Sequence, residues 1–185
     1  MVLVAAVTAG VLMRTSESLE AKATATGESA AREVSTSLKV LDIKGYNYQE
    51  NSTGNTITKL IITVTLGSGS SELDYDSIVM SYTSGDVYIR GIRYNSSIGE
   101  SENSTLTDND VADFGVVPVY QITENEVLER NEIVELHFWI EDNNGDDHPL
   151  TINKEFSVTL MPIGGTPITI KRITPAAIKG KYVEL

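Results

Sequence analysis

The 185-residue, 20.1 kDa chain is 41% hydrophobic and 22% charged, which supports a packed core and excludes a disordered or collagen-like polymer. Lys and Arg number 14 against 26 Asp and Glu, a formal net charge of -12, so a nucleic-acid partner would have to bind against the field of the whole molecule. With no cysteine there is no disulfide, thiol nucleophile or thiolate metal site, and the two histidines, His137 and His148, have no partner at a recognised catalytic or metal-binding spacing.

The charge divides the chain in two. Up to Leu41, Glu17, Glu20, Glu28 and Glu33 balance Arg14, Lys22, Arg32 and Lys39, so all the excess acid lies downstream. The first segment, Met1–Met13 (MVLVAAVTAGVLM), is uncharged and apolar on every side. It is shorter than the roughly 20 residues that span a bilayer, and it lacks the basic flank and cleavage site of a secretory signal. Beyond it Leu12, Leu19, Ala23, Ala30, Val34, Leu38 and Leu41 recur at helical separations, which predicts one continuous amphipathic helix to about Lys39. At about 1.5 Å per residue its length is on the order of 60 Å, more than the remaining chain can cover, so the first third is expected to protrude.

After Leu41 the period changes to two. Leu60, Ile62, Val64 and Leu66 alternate with Lys59, Thr63 and Thr65, the pattern of a half-buried strand. Val134, Leu136, Phe138 and Ile140 alternate in the same way with Glu135, His137 and Trp139, which predicts a half-exposed structural histidine. Further strands are expected near Val40–Tyr48, Ser77–Thr83, Val87–Tyr94, Val116–Ile122, Leu150–Leu160 and Ile168–Ile173, separated by turn signals such as Gly67-Ser68-Gly69, Ser84-Gly85-Asp86 and Asn144-Gly145. Seven or eight short strands at this spacing predict an immunoglobulin-like β-sandwich head. The fold class is α+β, with a helix over 1–39 and a β domain over 40–185. Gly99–Asp113 reads as a long acidic loop.

Catalytic chemistry is hard to assemble from these residues. Gly67-Ser68-Gly69 lacks the Lys and the helix of a phosphate-binding loop and reads as a hairpin turn, and no Ser sits in a nucleophile elbow. Asp74 and Asp76, two residues apart, read as a solvated pair on one strand face. The chain is therefore expected not to be an enzyme and to need no cofactor. Asp142, Asn143, Asp146 and Asp147 around Gly145 are hard oxygen ligands within one turn, so a structural Ca²⁺ is the alternative to a plain hairpin there. Asn51, Asn95 and Asn103 head three Asn-X-Ser/Thr tripeptides in turn or loop segments, acceptor sites for N-glycans if the chain is exported.

Met1–Gly27 resembles the N-terminal helix of archaeal flagellins (archaellins): a Val- and Ala-rich stretch, a Thr15-Ser16 step, then Ala25-Thr26-Gly27. Leu160–Leu185 is similar to the end of that family, where a last strand precedes a Thr-Pro motif, here Thr174-Pro175. The resemblance implies a basic leader and further apolar turns ahead of Met1, so the chain is expected to be N-terminally truncated relative to the family, and the restored run would be long enough to sit in the membrane before assembly. It also implies an extracellular, non-enzymatic subunit of the archaellum, a motility filament of identical or homologous copies. The alternatives are an adhesive type IV pilin-like subunit or a membrane-anchored surface-layer binding module.

The residues lead to a compatible expectation without the family. An apolar helix gains about 1.5–3 kcal/mol for each Val or Leu it fully buries, so Val2, Leu3, Val4, Val7, Val11, Leu12 and Leu19 require partners, and the small Ala5, Ala6, Ala9 and Gly10 let neighbouring backbones approach.

Overall fold

Among the described residues, helix α1, Val2–Ser35, is followed by eleven strands: β1 Leu38–Tyr46, β2 Lys59–Leu66, β3 Leu73–Asp74, β4 Ile78–Ser84, β5 Val87–Tyr94, β6 Asp113–Tyr120, β7 Val127–Leu128, β8 Ile133–Trp139, β9 Glu155–Pro162, β10 Ile168–Ile173 and β11 Tyr182–Glu184. The structure, a computed structural model, describes residues 2–35, 37–47, 56–98, 112–140 and 148–185, and within α1 the side chains of residues 10–27.

The helix stops at Ser35, a few residues short of Lys39, because Leu38 is taken by the sheet: it pairs with Leu66 and is buried. At 34 residues α1 is about 51 Å long.

Nine strands form one sheet in the order β10-β9-β4-β5-β6-β8-β2-β1-β11, and β3 pairs with β7 apart from it. The sheet curls so that its halves face each other. Tyr82 in β4 and Phe138 in β8 are separated by two intervening strands, yet their ring centroids lie 5.7 Å apart. The hinge between the halves is the parallel pair β5–β6, held by two residue pairs, Arg93 with Asp113 and Tyr94 with Phe114. A parallel connection needs a crossover of a dozen or more residues, which the segment between Tyr94 and Asp113 supplies. Between the halves lie Ile62, Met80, Tyr82, Ile89, Phe114, Leu136, Phe138, Phe156 and Leu160, all buried.

Two sequence expectations change here. The stretch Leu150–Leu160 is not one strand: Leu150 makes an isolated bridge to Ile57, Asn153 adopts φ 54 in a turn, and β9 starts at Glu155. The second change concerns β2, which is buried on both faces, with Lys59 only 3% exposed. Register explains it. Lys59 pairs with Tyr46 on one side and Trp139 on the other, so the three side chains stand in one row and the ammonium lies 5.1 Å from each ring centroid. The row continues to Tyr182 of β11, whose ring is 5.4 Å from that of Tyr46. This tie fastens the C-terminal strand to the body.

Candidate assembly surface

Every side chain from Gly10 to Gly27 is exposed, including Val11, Leu12 (68%), Met13 and Leu19, so the chain itself covers none of this stretch. Protrusion thus extends well past the first third of the helix. The three threonines on it are pre-satisfied: Thr15 donates to the Val11 carbonyl at 2.7 Å, Thr24 to the Glu20 carbonyl at 2.9 Å and Thr26 to the Lys22 carbonyl at 2.8 Å. A hydroxyl bonded inside its own helix can enter an apolar contact without an unmet donor. A Cβ at Gly10 would meet nothing within 4 Å, so nothing described in the chain requires a glycine there, although glycine costs a helix about 0.5–1 kcal/mol relative to Ala. Val2, Leu3, Val4 and Val7 lie in the same helix, with side chains outside the described set.

The helix joins the body through a serine clasp. Ser70 Oγ accepts the Ser37 amide at 3.0 Å and donates to the Ser37 carbonyl at 2.9 Å, and the Gly67 amide donates to that carbonyl at 2.8 Å. A Cβ at Gly67 would collide with Ser37 Oγ. Gly67-Ser68-Gly69 is therefore a turn, as expected, but its job is to seat the helix junction: β2 and β3, which it links, do not pair with each other.

Glu132, one residue ahead of β8, holds the neighbouring loop. Its carboxylate is fully buried and accepts the amides of Ile122 at 2.7 Å, Thr123 at 3.3 Å and Glu129 at 2.9 Å. Burial alone would raise this carboxyl; the three backbone donors outweigh it and hold the group below its ordinary value. The signal was present in the parity, since Glu132 shares the inward phase of Val134, Leu136 and Phe138.

The remaining expected sites fall as follows. His137 is buried rather than half-exposed. Its Nδ1 lies 3.2 Å from Lys59 Nζ and its Nε2 3.3 Å from Glu135 Oε2. Lys59 and Glu135 thus face the two ring nitrogens. Asp74 and Asp76 do not share a strand face: Asp74 ends β3, Asp76 lies in a 3-10 turn, and both are exposed. Asn95 is half-buried, with Nδ2 donating to Asp113 at 3.0 Å and Oδ1 accepting the Ser97 amide at 3.0 Å. Asn51, Asn103, Asp142, Asn143, Asp146 and Asp147 lie outside the described residues, as does Gly99–Val111. The ends of the 141–147 segment are joined by the His148 amide donating to the Ile140 carbonyl at 2.8 Å. Among the described residues no group of three or more His, Asp or Glu is placed to hold a metal, and no helix is long and apolar enough to cross a membrane.

A long helix left bare by its own chain and clasped to a curled β body is the layout of a subunit completed by its neighbours. The family model of archaeal-type flagellins matches residues 1–172, and the chain belongs to that family. It is a structural filament subunit of an extracellular appendage, not an enzyme.

Flagellin B1 of Methanocaldococcus jannaschii is 32% identical over 204 residues, an alignment covering 100% of this chain and 88% of that protein. Flagellin B4 of Pyrococcus abyssi is 33% identical over 128 residues, covering 64% of this chain and 58% of that protein's length. Two solved structures share the fold. The archaeal flagellum of Methanospirillum hungatei strain JF1 matches with a TM-score of 0.67 at 14% identity, over 98% of this chain and 92% of that one. The crystal structure of archaeal flagellin FlaB1 from Methanocaldococcus jannaschii matches with a TM-score of 0.60 at 19% identity, over 80% of this chain and 96% of that one.

Proposed function

We propose that copies of this chain polymerise by bundling α1, with Val2, Leu3, Val4, Val7, Val11, Leu12 and Leu19 in the filament core and the acidic β bodies facing solvent. The observation that carries the reading is the bare stretch from Gly10 to Gly27: Val11, Leu12 and Leu19 are exposed there, and Thr15, Thr24 and Thr26 on the same stretch are already satisfied. Identical heterologous contacts repeated from copy to copy build an open helical polymer. In the finer reading, the body is an immunoglobulin-like sandwich, α1 rests in the membrane before assembly, Asn51, Asn95 and Asn103 are glycan acceptors, and the 142–147 turn binds Ca²⁺. An adhesive pilin or a surface-layer binding module is disfavoured by membership of the flagellin family.

The test is electron microscopy of the assembled product with Val4→Asp and Val7→Asp. Charges buried without partners in the core should abolish filaments while the body stays folded. Normal filaments from the double variant would contradict the helical core.

A further inference from the structure

The exposed end of β6 and the loop after it form an apolar tip, Val119, Tyr120 and Ile122, the last 61% exposed. The tip is held rigidly. The buried Glu132 carboxylate grips the Ile122 and Thr123 amides, Gln121 Nε2 donates to the Asn125 carbonyl at 3.0 Å, and Asn125 Oδ1 accepts the Val127 amide at 3.1 Å. Apolar groups presented on a pre-ordered loop suit a contact, because little conformational freedom is left to lose on docking. The rim is acidic: Glu124 and Glu126 are exposed, and pairing of β3 with β7 brings Asp74 alongside.

The complementary surface lies elsewhere on the same molecule. Edge strand β10 has one free side, and Lys171 and Ile173 share a face by the period of two, with Ile173 63% exposed. Arg172, the residue between them in the strand, is exposed, and so is Lys179 farther along the chain. Among the described residues none of Glu124, Glu126, Lys171, Arg172 and Lys179 forms an ion pair.

Register places the two surfaces at opposite ends. Ile78 pairs with Pro162, and the chain just before it carries Tyr75, whose amide donates to the Glu126 carbonyl, so the end of β9 lies on the side of the tip. Ile173 pairs with Glu155, the start of β9, at the far end. One molecule therefore cannot bring them together.

We propose that the Val119–Ile122 tip of one copy docks on the Lys171–Ile173 edge of the next, an apolar contact ringed by opposite charges. This inference rests on the filament reading and adds the contact between bodies that the helix bundle does not specify. Tip meeting edge is heterologous, so it propagates rather than closes, and the charges set register more than affinity.

The chain has no cysteine, which makes thiol cross-linking unambiguous. Filaments carrying Ile122→Cys together with Ile173→Cys, treated with a short bis-maleimide that tolerates the misplacement a disulfide does not, should give a ladder of covalent oligomers on denaturing gels. Either single variant should remain monomeric. A pair variant that forms filaments without a ladder, or a single variant that cross-links to itself, would overturn the tip-to-edge contact.

Charge reversal gives an independent reading. Glu124→Lys with Glu126→Lys should raise the free subunit concentration over filaments about tenfold in low salt, and adding Lys171→Glu with Arg172→Glu should restore it to within about threefold. No effect of the first reversal, or no restoration by the second, would also overturn it. If the unsubstituted chain forms no filaments at all, the filament reading fails and this inference fails with it.

Discussion

Glu132 shows how one side chain can decide the shape of a surface. Removing its carboxylate leaves three amides in a buried setting without an acceptor, so Glu132→Ala should destabilise the body by about 2–3 kcal/mol, and Glu132→Gln by about 1–2 kcal/mol. The pH dependence follows from the direction of the shift. A carboxyl held below its ordinary value contributes stability that is complete above the unfolded value of about 4.3 and is lost as pH falls through the folded one. The advantage of the parent over Glu132→Gln in urea unfolding should therefore shrink between about pH 7 and about pH 3. The single tryptophan, Trp139, is buried in the body and serves as the fluorescent reporter. An advantage that does not change with pH would mean that the charge is not what holds the loop.

Between residue and sequence the link is uneven. The parity that predicts the inward face of β8 also carries Glu132, but nothing in a period-two pattern says which three amides a buried carboxylate will collect, since these come from the segment 122–129 brought back by the turn at Asn131, φ 70. Lys59 defeats the pattern for a related reason. Alternation assigns it to solvent, and only the register Tyr46–Lys59–Trp139 across three strands supplies the rings that cover it. Ser70 is invisible as a clasp because its partner, Ser37, is 33 positions away in the chain.

At the scale of elements, the longer runs were readable and the shorter ones were not. Strands β2, β4, β5, β8 and β10 lie within a residue or two of their expected positions, because each run is long enough to display a period in sequence. The two-residue strands β3 and β7, and the three-residue β11, have no period to display and exist because their neighbours pair with them. The segment 141–147 belongs at this scale too. Its ends are joined at Ile140 and His148, and Asp142, Asn143, Asp146 and Asp147 within it carry the proposed Ca²⁺ site. Calcium should raise the thermal midpoint of the body and a chelator should lower it, with both effects lost in Asp142→Asn with Asp146→Asn. Equal shifts in parent and variant, or none, would leave the segment a turn without a cation.

For the whole molecule the deciding contrast is between a body that buries its own apolar residues and a helix that does not. Tyr82, Phe114, Phe138 and Phe156 are closed off inside the curled sheet, whereas Leu12 and Leu19 point into open space. Composition already separated a neutral segment from an acidic one, and the helical spacing already made the first too long to cover. How the sheet would curl, with a parallel pair as its hinge, could not be read, because strand order rests on pairings between residues far apart in the chain.

The stretch of α1 from Gly10 to Gly27 is solvent-exposed in the isolated chain, and the proposed bundle buries it against other copies in the filament. With no native cysteine, Leu12→Cys introduces a single thiol on the bare stretch of the helix, and its rate of modification by a water-soluble maleimide can be compared in intact filaments and in dissociated subunits. Prompt labelling of the subunits and protection in the filament, relieved when the filament is taken apart, are the expected results. Equal labelling in both states would place the helix outside the core and contradict it.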